Sequence, residues 1–229
     1  MFDDDECLRR YGALREEHPS WFENPTDCPT HILLDREQIA AAQADVRAER
    51  EGQGEPVSDL RVGVLATDHY IGFIVRDAVR FADGRHGLYN RVIAAGGVAV
   101  LPILREGIAL IRIFRHAPRR WMIEAPQGWA GPGTDPVEVA RRELQEEMGA
   151  VAQEIVPLGK LYTSTALTSE NLTLFAVRIS HVGAPQRNEG IDSIRIVLTG
   201  EIDRLLLDGT ICDGPTTTLI TRARLAGLL

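Results

Sequence analysis

The alternation of apolar and polar positions divides the chain into two textures. Residues 35–51, DREQIAAAQADVRAERE, carry helix-favouring Ala, Gln and Glu, and Ile39, Ala42 and Val46 trace one narrow apolar stripe. This predicts a helix, ended by GQGEP at 52–56, the best linker candidate in the chain. Before it, residues 1–30 are mixed, and Trp21, Phe22, Pro25 and Pro29 give that stretch a loop-like reading. From Leu60 the texture changes to strands. RVGVLA and YIGFIVRDAVRF are rich in β-branched and aromatic residues, and Asp83-Gly84 signals a hairpin turn. LYNRVIA (88–94), GVAVLPIL (97–104), IALIRIF (108–114) and the short MIEA (122–125) continue the run. A helix is predicted at 136–148, strands at 155–163, 171–179 and 193–199, and helices again near 201–208 and 215–228. Strands around one central helix, closed by another, predict a mixed α/β sandwich rather than a regular βαβ repeat.

The helix at 136–148 is signed at both ends. Asp135 stands at the N-cap, Pro136 at the first helical position, Glu138 three residues after the cap, and Gly149 at the stop. Val137, Ala140, Leu144 and Met148 recur at helical spacing and predict its buried face. Glu143, Glu146 and Glu147 lie three and four residues apart, so one face presents three carboxylates to a common point. Like charges there repel and need cations. Arg142, four residues before Glu146, can supply one, and a hard divalent cation such as Mg²⁺ or Mn²⁺ suits the rest. A solvated Glu-rich face is the alternative that the helix alone leaves open. The preceding loop, PQGWAGPG, carries Gly128, Gly131 and Gly133 and lets backbone approach the carboxylates.

In register, Gly128, Arg142, Glu143, Leu144, Glu146, Glu147 and Gly149 resemble the Nudix box. That motif is a Gly, five residues, Glu, seven residues, then Arg-Glu-aliphatic-any-Glu-Glu-any-Gly-aliphatic. Thr134 stands where the box has its first Glu, and Ala150 replaces the last aliphatic residue. The first departure bears on loop rigidity more than on chemistry. Upstream, RIFRHAPRRWMIEAPQG (112–128) is similar to the stretch before the box in ADP-ribose pyrophosphatases, with Gln127 in place of Ala. Segments 158–177 and 209–225 share that subfamily's texture, so the resemblance covers residues 60–229.

The resemblance implies a Nudix-type α/β/α sandwich with a mixed sheet, plus N-terminal antiparallel strands and a helical N-terminal extension. The expected division is residues 1–56 as extension and 57–229 as a Nudix hydrolase domain with leading strands. The implied activity is metal-dependent hydrolysis of the pyrophosphate bond in a nucleoside diphosphate linked to another group, foremost ADP-ribose or a nucleoside-diphosphate sugar. A nucleotide-binding sensor without turnover is the alternative. Glu143, Glu146, Glu147 and the Gln127 carbonyl are then the metal set, with Mg²⁺ or Mn²⁺ as cofactor. Arg115, Glu124 and Gly128 would meet substrate, and Arg142 and Gly149 would be structural in the motif. Glu143 and Glu147 would also be catalytic. In that subfamily a late acidic loop supplies the general base. Here the loop is GAPQRNEGIDS (183–193), which offers Glu189 first and Asp192 second, with Glu170 a third candidate. Relatives use strands like those at 61–82 to form a two-fold dimer, and an isolated hairpin needs a surface to cover, so a homodimer is expected.

The 229 residues suit one domain, or one with an appendage, and 44% hydrophobic content allows a core without staples. A net charge of −8 provides no basic field for nucleic acid. No apolar run is long enough for a bilayer. The acidic start, MFDDDECLRRYG, lacks the order of a signal peptide, and Cys7, Cys28 and Cys212 form no disulfide framework, so a cytoplasmic protein is expected. Cys28-x-x-His31 has no regular zinc spacing. Trp121 and Trp129 flank the glycine loop and suit either ring stacking or core packing, and Asp213 is expected to cap the last helix.

Overall fold

The computed structural model describes residues 2–131, 133–185 and 190–229, so Glu189, the first candidate base, lies outside the described residues. The chain forms two compact units. The first runs to Ala94 and includes Thr165–Ser169, and the second comprises Ala95–Ser164 and Glu170–Leu229.

The first unit contains α1 (Asp4–Glu17), a 3₁₀ turn (Pro19–Phe22), β1 (Thr30–Ile32), α2 (Arg36–Gln53), β2 (Gly63–Asp68), β3 (Gly72–Phe81) and β4 (His86–Ile93). The loop-like reading of residues 1–30 is corrected by α1. The Asp3 side chain caps this helix by accepting from the Glu6 amide at 2.9 Å. Its buried residues are Cys7, Tyr11 and Leu14, a stripe too sparse to stand out among Asp, Glu and Arg. The sheet is antiparallel. β2 pairs with Gly72–Arg76 of β3, β1 with Val79–Phe81, and β4 takes the other edge. Val75 packs with Tyr11 and Leu14 of α1, while Ala78, on the opposite side of the pleat, packs with Ile39 and Ala42 of α2. The leading strands thus lie between the chain's own helices. They cluster with the extension instead of the later strands, because both faces are covered from that side. Part of the surface that a hairpin needs is thus supplied by α1 and α2 of the same chain.

The second unit contains β5 (Gly97–Ile103), β6 (Gly107–Arg115), β7 (Arg120–Glu124), β8 (Gln127–Trp129), α3 (Pro136–Met148), β9 (Glu154–Tyr162), β10 (Asn171–Arg178), β11 (Ile191–Leu198), α4 (Ile202–Leu207) and α5 (Gly214–Leu225). Its sheet runs β11-β6-β5-β10-β9, with β7 added to β6 and β8 to β5. β10 and β5 are parallel and the other pairs antiparallel, giving a mixed sheet. Every residue of β5 is buried, and they alternate between two cores. Ala99 and Leu101 join Leu205, Leu219 and Ile220 of α4 and α5, whereas Val98 and Val100 join Val139, Leu144 and Met148 of α3. Helices therefore cover both faces, the expected α/β/α sandwich. β5 and β6 pair only at Ile103 and Ile108, then part, and β7 and β8 line the opening.

Candidate active site

α3 forms where its end signals place it. The Asp135 side chain accepts from the Val137 amide at 3.0 Å, and Gly149, at φ 58°, ends the helix in the left-handed region. The buried face is rotated from the expected one. Val137 is only partly buried, and Val139, Ala140, Glu143, Leu144, Glu147 and Met148 face inward. The apolar spacing marked the core side, but packing turned two of the three glutamates inward with it. Glu143 and Glu147 are 7% and 3% exposed, while the Glu146 side chain stays 39% exposed. Carboxylates at that depth require positive partners, because burial strips them of water.

Arg142 is one such partner. Its Nη2 donates to Glu143 Oε1 at 2.7 Å and to the Trp129 carbonyl at 3.3 Å, and its Nε lies 3.8 Å from Glu146 Oε2. It thus ties α3 to β8 as well as neutralising the helix face. Donation to Glu143 holds the Arg142 guanidinium charged beyond its ordinary range. Gly128 passes directly against the same carboxylate: a Cβ there would lie 2.0 Å from Glu143 Cδ. Only glycine fits, for reasons of space.

Arg115 stands at the end of β6. Its Nε and Nη2 both donate to Glu124 Oε2, at 2.8 and 2.7 Å. Glu124 ends β7 and is 3% exposed. Burial raises its carboxyl pKa even though Arg115 pulls the other way. Burial would lower the Arg115 pKa, but Glu124, and then the charges of Glu147 and Asp213, raise it overall. Arg115 therefore stands among Glu124, Glu147 and Asp213, while Gly128, Trp129, Glu143 and Arg142 meet across β8 and α3.

The donors are of the class a hard cation prefers: carboxylate oxygens from one helix and backbone from a strand that glycine brings within touching distance. Among the described residues, no group of three or more His, Cys, Asp and Glu side chains is already gathered as a metal centre. Arg142 occupies Glu143 instead. The residue types and the backbone approach fit a divalent ion that takes over part of the role Arg142 fills here.

Other candidates fall elsewhere. Asp192 pairs with Arg112 at 2.8 Å. Arg112 alternates with Ile111 and Ile113, which face α3, so that pair belongs to the opposite side of the sheet. Glu170 accepts from Thr163 Oγ1 at 2.6 Å. Trp121 and Trp129 are 43% and 59% exposed, so neither is core, and the Arg112 guanidinium stacks on Trp121 at 4.0 Å. Cys28 donates to the Thr30 carbonyl at 2.9 Å.

Sequence reasoning missed the reach of Asp213 and Thr216. Asp213 caps α5 as expected, accepting from the Thr216 amide at 2.9 Å, but it also accepts from Gln127 Nε2 at 3.0 Å. Thr216 Oγ1 accepts from the Ala125 amide at 2.8 Å. The only local signal was the capping pattern in ICDGPTT, and nothing in it announces a contact some ninety residues away.

Comparison with known proteins identifies the family and the fold. The family profile described as NUDIX domain matches residues 94–211, just over half of the chain and beginning where the two compact units divide. A protein named ADP-ribose pyrophosphatase from Bacillus subtilis (strain 168) is 33% identical over 98 residues, 42% of this chain and 53% of that protein. One named methanol dehydrogenase activator from Bacillus methanolicus is 29% identical over 103 residues, 44% of this chain and 56% of that protein. The chain thus spans about half the length of the curated relatives it matches. A crystal structure of an ADP compounds hydrolase shares the fold, with a TM-score of 0.61 at 20% identity, over 74% of this chain and 95% of that one.

Proposed function

The chain belongs to the Nudix family, and from that premise we propose that it hydrolyses the pyrophosphate bond of a nucleoside diphosphate linked to another group, with ADP-ribose or a nucleoside-diphosphate sugar as substrate. The observation that carries this reading is the burial of Glu143 and Glu147 on α3 with the Gly128 backbone pressed against Glu143. Members of this family generally use a divalent metal. Glu143, Glu146, Glu147 and the Gln127 carbonyl would hold Mg²⁺ or Mn²⁺, which neutralises pyrophosphate oxygens and makes bound water more acidic.

The chain's own groups do the rest. Arg115, held charged by its carboxylate neighbours, supplies a guanidinium fork for a phosphate, and Glu124 aims that fork. Gly128 would present its backbone to substrate beside Glu143, where any side chain would collide with the carboxylate. Arg142 and Gly149 keep α3 in register with β8 and ended on time. Glu189 is proposed as the base that removes the proton from water. Glu189→Gln should then lower kcat by about 10²–10⁴-fold with KM moved far less, whereas Asp192→Asn, already paired with Arg112, should change little.

A panel of nucleoside-diphosphate compounds with Mg²⁺ or Mn²⁺, read by phosphate release after phosphatase coupling, tests the proposal. Cleavage of ADP-ribose or a nucleotide sugar supports it, and binding without cleavage of any compound overturns it in favour of a sensor. The hold of Arg142 on Glu143 is the observation that keeps the sensor as a second reading.

A homodimer belongs to the proposal, its surface being the exposed Tyr70, Ile71, Ile74 and Tyr89 of the first unit. A monomer mass by light scattering would reject it. No helix among the described residues is long and apolar enough to cross a membrane, and the three cysteines are free, which suits the cytoplasm.

A further inference from the structure

A capping aspartate needs only the amides of the helix it starts, yet Asp213 serves a larger structure. Its Oδ2 accepts from the Thr216 amide at 2.9 Å, from Thr216 Oγ1 at 2.6 Å and from Gln127 Nε2 at 3.0 Å. Thr216 Oγ1 in turn accepts from the Ala125 amide at 2.8 Å. The bonds close a ring that grips both ends of Ala125-Pro126-Gln127 from the first turn of α5. Thr216 and Ala125 are fully buried, so water does not compete for these groups.

Besides this ring, the segment is held by the burial of Ala125 in the core and by a short pairing. β8 pairs with β5 over three residues, Pro126 has no amide hydrogen, and its carbonyl accepts from Val100 at 2.9 Å. Antiparallel alternation then turns the Gln127 carbonyl away from β5. One residue later, Gly128 has no slack against Glu143, since even a Cβ would overlap the carboxylate. A small slide of residues 125–128 would therefore change the approach of backbone to the α3 glutamates.

We infer that Asp213 and Thr216 are positioning residues for the metal face, locking the backbone at Gln127 and Gly128 at its working distance from Glu143. The amide of Gln127, at a position where the resembling subfamily has Ala, is this chain's own link into that lock. The inference rests on the metal assignment proposed above.

The test is Mn²⁺ binding to the full chain, read from the electron paramagnetic resonance of free Mn²⁺, beside metal-free thermal unfolding. Outer-shell partners typically change metal affinity by about 10–100-fold, so Thr216→Val should weaken Mn²⁺ at least about tenfold, and Thr216→Ser, which keeps the hydroxyl, should restore it. Gln127→Ala leaves the α5 cap intact and removes one hydrogen bond, so it should weaken Mn²⁺ by about two- to tenfold. Lower Tm in either variant with Mn²⁺ affinity unchanged would mean a merely structural role and overturn the inference. If Thr216→Val does not fold, Gln127→Ala decides. Glu147→Gln separates the two levels: if it weakens Mn²⁺ binding while Thr216→Val and Gln127→Ala bind as wild type, the positioning role fails alone. If wild type and Glu147→Gln bind Mn²⁺ alike, the metal assignment fails and the inference with it.

Discussion

Both units bury carboxylates, and they do so to opposite ends. In the first unit Asp77 is 2% exposed and meets Tyr11 and Arg91. The Tyr11 hydroxyl donates to one oxygen, and Arg91 donates to both, at 2.6 and 3.2 Å. Arg91 also donates to the Trp21 carbonyl at 3.0 Å and lies over the Phe22 ring, so the network ties α1, the 3₁₀ turn, β3 and β4 together. One negative group meets a guanidinium and a phenol. Among the described residues of the second unit, the guanidinium groups of Arg115 and Arg142 face Glu124, Glu143, Glu146, Glu147 and Asp213. A buried carboxylate balanced by its neighbours is a clamp. Several carboxylates gathered around these guanidinium groups offer the oxygen donors that a hard divalent cation prefers.

The comparison makes opposite predictions for neutralising a carboxylate in each place. Glu147→Gln should lower kcat by at least about 10²-fold, the scale of losing a main electrostatic contributor, while Tm moves less than in an Asp77 variant because the isosteric amide keeps the packing of α3. Chelation with EDTA should silence the wild type, and Mg²⁺ or Mn²⁺ should restore it. Full activity without metal, or in the Gln variant, would break the comparison on the catalytic side.

Asp77→Ala should act the other way. Removing one partner of a buried pair costs about 3–5 kcal/mol, so chemical unfolding should show a loss of about that size with no comparable fall in kcat. A loss no greater than that of an exposed substitution would show that Asp77 is not a clamp.

The smallest effect sharpens the same point. Tyr11→Phe removes a hydrogen bond to a charged acceptor and should cost about 2 kcal/mol near neutral pH. Burial, then the charge of Asp77 and the bond to it, push the Tyr11 phenol far above its ordinary range. A folded-state pKa raised above the unfolded one stabilises fully below the unfolded value and less as pH rises past it. The wild type should therefore lose its advantage over Tyr11→Phe above about pH 10, where an unfolded tyrosine ionises. Urea unfolding of both proteins from neutral to alkaline pH measures this, and a constant difference throughout would count against the network.

Much of the site was legible because it is local. The caps Asp135 and Gly149, the helix between them and the spacing of Glu143, Glu146 and Glu147 depend on neighbours within a few residues. The loop glycine at Gly128 also read correctly as a close approach. The phase of the α3 face did not, because Val137 and Val139 are equally apolar and the sheet beneath chose between them. Nor did α1, whose three inward residues acquire meaning only against β2 and β3.

By itself the sequence determined the α/β order of elements, the signed helix with its three glutamates and the glycine loop before it. These follow from backbone preference and short spacing, which each segment carries with it. Tertiary structure alone decided which glutamates are buried, that Arg115 meets Glu124, that the leading strands pack with α1 and α2, and that Asp213 and Thr216 grip Ala125 and Gln127. Each of those contacts joins residues of different elements, and most join residues far apart in the chain or depend on the surface a helix meets. Such a contact forms only when the parted strands β5 and β6, and the helices on either face, have fixed where separate segments meet.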